Sequence, residues 1–364
     1  MKFSLASRLV ASLLSGTVLD AVVVNDVLNH ENPQVQFQAQ APVQVEALPR
    51  VHRVLQTETT GIFLLSDIQF DGSALSTRRH LQSGSDSGNG NGNNHRPHQT
   101  LNVELDDGTI YEFENLPPGF QKNGLLSGRT TISLPAGTAF SSNGKADTKG
   151  GAPAFVSYIR GDKHSRRRRL TSAKEGTRTV LAVRVVVSDG ATSVDAATLS
   201  DGLFGNGVDP VTLASQYRSC SHGRLEFVKA PDRSGMGAAI VDGVVTLTLP
   251  SASVASGDGA LRNAITLELY NAFGLHPGQL ADHVMYCLPS GAMGGIAYAY
   301  VDSWNSVYSD EWCTYVSAQM HEIGHNLNFA HSNEAGTYGD QTGMMVSAAC
   351  REGRFVPTRF RRSN

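Results

Sequence analysis

Three histidines and a glutamate stand within eleven consecutive residues of this 364-residue chain: His321, Glu322, His325 and His331. His321 and His325, four apart, share one face of an α-helix, where side chains at i and i+4 are neighbours. Two imidazoles so placed can aim at one point. Zinc requires that convergence, because its bonds to neutral histidine nitrogen are only about 2.0–2.1 Å long. Glu322 sits beside the pair, placed to act on a metal-bound water rather than to hold the metal. His331 follows His325 by six residues and would point elsewhere on a continuing helix, so the chain has to turn after Leu327. Asn328 occupies the turn, and asparagine tolerates the left-handed conformation better than other non-glycine residues.

The helix needs a core to rest on. Val316, Met320, Ile323 and Leu327 recur at i, i+4, i+7 and i+11 on the side away from the histidines, which predicts a helix packed by that stripe. Beyond it, residues 338–345 read Tyr-Gly-Asp-Gln-Thr-Gly-Met-Met, a glycine-bearing turn followed by methionine. Upstream, Thr179–Val187 is a β-branched run suited to a central strand buried on both faces. Leu213–Tyr217 reads as part of a helix, Val241–Leu249 as a strand, and Leu261–Phe273 as an amphipathic helix through Leu261, Ile265, Leu267, Leu269 and Phe273. Alternating strands and helices predict an α/β or α+β sheet domain.

An H-E-x-x-H pair, a turn, a third histidine and a following methionine together resemble the metzincin clan of zinc endopeptidases. The nearer likeness is to the gametolysin family, secreted metalloproteases of algae and related organisms. It rests on Ser219-Cys220-Ser221, the approach from Cys313 to the helix, His325-Asn326-Leu327, His331-Ser332, and Tyr338-Gly339-Asp340 shortly before Met345. It covers about residues 175–348. The resemblance implies a twisted, mostly parallel sheet with an active-site helix, Zn2+ on His321, His325 and His331, Glu322 as general base, and Met345 beneath the metal, with Met344 its rival. It also implies a protein or glycoprotein substrate such as cell-wall or matrix glycoprotein. Asn328 stands where the family has glycine. Only 19 residues follow Met345, and residues 351–364 lack core periodicity, so the C-terminal subdomain reads as truncated and the tail as divergent. A second reading follows: a catalytically inactive zinc-binding interaction protein with an incomplete cleft.

Composition divides the chain. The formal net charge is −3, from 30 basic and 33 acidic side chains, but residues 171–350 carry 8 basic and 17 acidic ones. That balance excludes a nucleic-acid binder relying on phosphate neutralisation. No apolar run reaches the ~18 residues of a spanning helix. Lys2 and Arg8 around an apolar stretch predict a signal peptide over residues 1–21 and a secreted protein. Residues 83–94 are a low-complexity Ser/Gly/Asn linker. Leu101, Val103 and Leu105 alternate before Asp107-Gly108 and the return Ile110–Phe113, a hairpin signal, and Thr131–Leu134 adds a strand. Residues 95–160 therefore read as a small β-rich domain.

Arg166, Arg167, Arg168 and Arg169 separate a cysteine-free part from one holding Cys220, Cys287, Cys313 and Cys350. Such a run reads as a nuclear-localisation patch, a solvated loop or a site for a basic-specific convertase, and its place between the two parts favours cutting, with residues 22–169 as a pro-segment and 170–364 as the catalytic domain. Four cysteines without a C-x-x-C pair permit two disulfides in three connectivities. His276 and His283 have no matching partners and read as surface or core residues.

Overall fold

The computed structural model describes residues 53–69 apart from 56, 98–159 apart from 119, 121 and 123, 175–331, and 344–345. The expected signal peptide over residues 1–21, residues 83–94, Arg166–Arg169, residues 338–343, Cys350 and the 351–364 tail lie outside them.

The described part is a mixed α/β structure with few helices and a mixed sheet: not the mostly parallel one expected, but parallel around the strand Gly176–Val187 and mostly antiparallel elsewhere. In chain order its principal elements are β1 (Thr59–Gln69), β2 (His98–Glu104), β3 (Ile110–Glu114), β4 (Thr130–Leu134), β5 (Ala154–Tyr158) and β6 (Gly176–Val187). These are followed by α1 (Ala196–Phe204), α2 (Leu213–Cys220), β7 (Leu225–Lys229), β8 (Val244–Leu249), α3 (Asp258–Phe273), β9 (His283–Leu288), β10 (Ala297–Tyr300), β11 (Asn305–Ser309) and α4 (Val316–Asn326).

β6 is the hub. It runs parallel to β7 and β8 on one side and to β9 on the other. β9 is parallel to β11, and the short β10 closes this half antiparallel to β11. The sequence of β6 explains its place, because its two faces feed two different cores. Leu181, Val183, Val185 and Val187 pack with Leu261, Ile265 and Leu269 of α3. Val180 and Ala182 pack with Leu199, Leu203, Leu213 and Tyr217 of α1 and α2, and with Met320 and Ile323 of α4. Arg184 interrupts the apolar run and donates to the Val194 and Thr192 carbonyls at 2.8 and 3.0 Å. The site helix thus rests on the opposite face of the sheet from α3.

Several sequence expectations are corrected. The single strand over Val241–Leu249 is two hairpin arms, Ala239–Val241 and β8, because Asp242 (φ 53°) and Gly243 (φ 74°) form the turn that Asp-Gly favours. In α3, Leu267 is 43% exposed, and Ala272 joins the buried stripe in its place. The mixed stretch 25–82, whose sequence carries little pattern, contributes the eleven-residue β1. Its Phe63 faces the N-terminal core with Val103, Ile132 and Phe140, while Leu64 faces the α3 core. The β-rich segment is present, but it shares the sheet: β1 pairs antiparallel with β2 and β4 and also with β10.

No helix among the described residues is long and apolar enough to cross a membrane. His276 caps the single turn Pro277–Leu280 through Nδ1, and His283 is buried in β9 with its ring edge-on to Phe227.

Burial pushes the His283 pKa down to about 4, with Asp282 opposing and Arg178 assisting. The folded value lies below the ordinary 6.5, so the unfolded chain takes up the proton first. The contribution is complete above pH 6.5 and is lost as pH falls toward 4, at a cost of about 3 kcal/mol there. His283→Gln should show a flatter loss of stability than wild type between pH 6.5 and 4 in denaturant melts. Parallel pH profiles would refute this.

Candidate metal centre

α4 is buried around its whole circumference from Ala318 to Asn326, beyond the single packed stripe that the sequence pattern predicts. The reason is that neighbours cover the polar face. Gln319 donates to the Cys313 carbonyl at 2.6 Å, and the Tyr217 hydroxyl of α2 donates to the Met320 carbonyl at 2.7 Å. Asn326 donates to the Tyr300 and Asn305 carbonyls, both at 2.9 Å, tying the helix end to β10 and β11. The Asp302 N–H meets the His325 carbonyl at 3.0 Å. Neither Tyr217 nor Asn326 was given a role from sequence, although Asn326 repeats Glu322 at i+4, a polar pair on a helix destined for the interior.

The start of the helix is fastened as well. Cys287 of β9 and Cys313, in the 3-10 turn Asp310–Thr314, form a disulfide with Cα atoms 5.8 Å apart. Of the other two cysteines, Cys220 is a free, half-buried thiol whose pKa burial raises, and Cys350 is outside the described residues.

The helix stops in a Schellman turn. Asn328 adopts φ 64°, its N–H bonds the His325 carbonyl at 2.8 Å, and the Phe329 N–H bonds the Gly324 carbonyl at 2.9 Å. This reversal returns His331 to the histidines of the helix. Because an L side chain strains this conformation, Asn328→Gly should raise the melting temperature. Asn328→Ala should cost about 1 kcal/mol, equivalent to a few degrees. Differential scanning calorimetry checks both signs; equal melting points would contradict the assigned turn.

The three rings converge. His321 Nε2 lies 3.1 Å from His325 Nε2 and 3.1 Å from His331 Nε2, and one ligand atom from each of the three lies within 4.8 Å of the others. The opposite ring nitrogens face carbonyl oxygens: His321 Nδ1 is 2.9 Å from the Met344 carbonyl and His325 Nδ1 is 3.0 Å from that of Phe329. A carbonyl only accepts, so both Nδ1 atoms carry the proton and both Nε2 atoms present lone pairs. Burial, then the neighbouring rings, hold His321 well below the ordinary histidine range; the same causes lower His325 to about 3, and burial lowers His331 to about 4. Facing lone pairs at 3.1 Å repel unless a cation lies between them. The cluster could hold a metal ion.

Glu322, next to His321 on the helix, is fully buried. Burial drives the Tyr217 and Tyr308 phenols well above their usual range; the Cys220 thiol and then Glu322 add to this at Tyr217, and Glu322 adds at Tyr308. Met345 is buried beneath the helix, where a Cβ added to Gly324 would overlap its sulfur. Met344 serves through its carbonyl instead. Compared with known proteins, the chain matches no family model, no curated protein and no solved structure.

Proposed function

We propose that the chain is a secreted zinc-dependent endopeptidase of metzincin type, similar to the gametolysin family and made as a proenzyme that a convertase cuts at Arg166–Arg169. The observation that carries this reading is the pair of proton-bearing Nδ1 atoms bound to carbonyls, which leaves Nε2 lone pairs aimed at one point. Bonds of about 2.0–2.1 Å in a tetrahedral site imply donor separations near 3.3 Å, and two separations here are 3.1 Å. Neutral imidazoles from a helix and the turn after it suit zinc, which takes nitrogen ligands and keeps a position open when three are protein groups.

His321, His325 and His331 would hold the ion, and zinc there supplies Lewis acidity toward a peptide carbonyl and makes water a better nucleophile near neutral pH. Glu322 is the group positioned for proton transfer. It takes a proton from the attacking water as the new C–O bond forms, then delivers it to the leaving amine as the peptide C–N bond breaks. Met345 and Phe329, packed against Gly324, keep the helix end and its turn in register. The protein substrate would be extracellular, with cell-wall or matrix glycoproteins the class suggested by the resemblance.

N-terminal sequencing of the secreted product, metal analysis of the same sample and cleavage of an unstructured protein substrate test the proposal together. The expected result is a new terminus after Arg169, about one zinc per chain and chelator-sensitive cleavage. Zinc without cleavage would favour the non-catalytic reading, and absence of bound metal would defeat both.

A further inference from the structure

We propose that residues 53–159 stay bound to the remainder of the protein after the chain is cut at Arg166–Arg169, so that the processed molecule is a two-chain complex. The cut itself belongs to the proposed proenzyme reading; the interface argued below does not depend on it.

The 175–331 part ends on one side in β10, an antiparallel strand whose outer edge is taken by β1, with Ala297, Tyr298, Ala299 and Tyr300 opposite Gln69, Ile68, Asp67 and Ser66. The ladder continues past the strand, where the Val301 N–H donates to the Leu65 carbonyl at 2.8 Å and the Ser127 hydroxyl donates to the Val301 carbonyl at 2.5 Å. Without β1, β10 would present an open edge, the feature that recruits other chains into aggregates.

Buried polar groups are satisfied across the same boundary. Arg262 of α3 donates to the Ile110 carbonyl at 2.6 Å, and the Ile110 N–H donates to the Asn263 side chain at 2.9 Å. Glu104 accepts from the Trp304 indole at 3.1 Å and meets His276 Nε2 at 3.2 Å. Arg129 pairs with Asp302, next to the β10 edge and one hydrogen bond from the His325 carbonyl. Separation would exchange these partners of Arg262 and Glu104 for water, so the polar groups at the boundary are matched across it as well as the apolar ones.

Packing at the boundary resembles an interior. Leu64 and Ile110 belong to the same apolar cluster as Leu181, Ile265 and Trp304. Three glycines allow direct backbone approach: a Cβ at Gly128 would overlap the Asp302 carbonyl, one at Gly259 the Asn143 carbonyl, and one at Gly108 the His276 ring. A detachable inhibitor needs an interface that can open; shared core, shared sheet and buried ion partners describe a permanent one. Cutting the connection removes only the effective-concentration advantage of the covalent link.

The experiment replaces Arg166–Arg169 in the full chain by the recognition sequence of a site-specific protease, cuts, and examines the product by size exclusion and native mass spectrometry at micromolar concentration. The expected outcome is one species with the summed mass of both fragments, which separates only in denaturant. Release of the N-terminal fragment under native conditions, whether the remainder stays folded or precipitates, overturns the proposal. Because the readout is mass, a protein lacking zinc or protease activity still answers the question.

Discussion

If the chain is the proposed peptidase, Glu322→Gln should leave the metal content unchanged and lower the peptide-cleavage rate roughly 10²–10⁴-fold, the usual worth of a positioned general base. Glutamine matches glutamate in shape but cannot take a proton from water, so the substitution separates the base from the scaffold. The side chain is fully buried on a helix that is itself buried, which makes the isosteric change preferable to alanine: alanine would also leave a cavity. Zinc content by mass spectrometry and cleavage of a quenched fluorescent peptide are the two readings. Cleavage within tenfold of wild type would remove Glu322 from the mechanism. Loss of metal along with activity would make Glu322 a support of the histidine cluster. A wild-type protein that binds zinc but cleaves nothing would shift the reading to the non-catalytic zinc protein, with this variant indistinguishable from it.

What the sequence made legible was what depends on local spacing. The i, i+4 histidines, the turn at Asn328 and the stripe of Met320, Ile323 and Leu327 follow from helical periodicity, and the structure places each accordingly. The β6 run identified the central strand because a strand buried on both faces has no polar alternation to hide it. Long-range contributions were not legible. Nothing local marks Tyr217 as the support of Met320, or the Met344 carbonyl as the partner of His321 Nδ1 23 residues earlier. β1 went unseen because its neighbours in the sheet come from β2, β4 and the distant β10, so its two faces serve two different cores. Asp242-Gly243 was readable from turn chemistry alone, yet apolar residues on both sides masked it as one strand.

Zinc added to chelator-treated protein should raise the melting temperature by on the order of 10 °C, and His325→Ala should abolish the response. The argument starts from the two Nε2 lone pairs held 3.1 Å apart by Nδ1–H donation to the Met344 and Phe329 carbonyls. Without a cation this arrangement stores repulsion, and relief requires a ring to turn, giving up its carbonyl partner, or to take a proton that burial disfavours. A bound metal removes that conflict only in the folded state, so its binding energy becomes stability: about 4 kcal/mol when free zinc is 1,000 times the dissociation constant. At a few degrees per kcal/mol for a chain of this size, that reaches the stated shift. The ligands also connect three separate pieces, α4, the turn that carries His331, and the Met344–Met345 stretch behind His321, so the gain should appear as slowed hydrogen exchange in all three. A melting temperature that zinc moves by less than a degree would show that the rings do not hold a metal, and the catalytic reading would fall with it. A shift confined to wild type and absent in His325→Ala would trace the stabilisation to these nitrogens, because a metal bound elsewhere on the surface would stabilise both proteins alike.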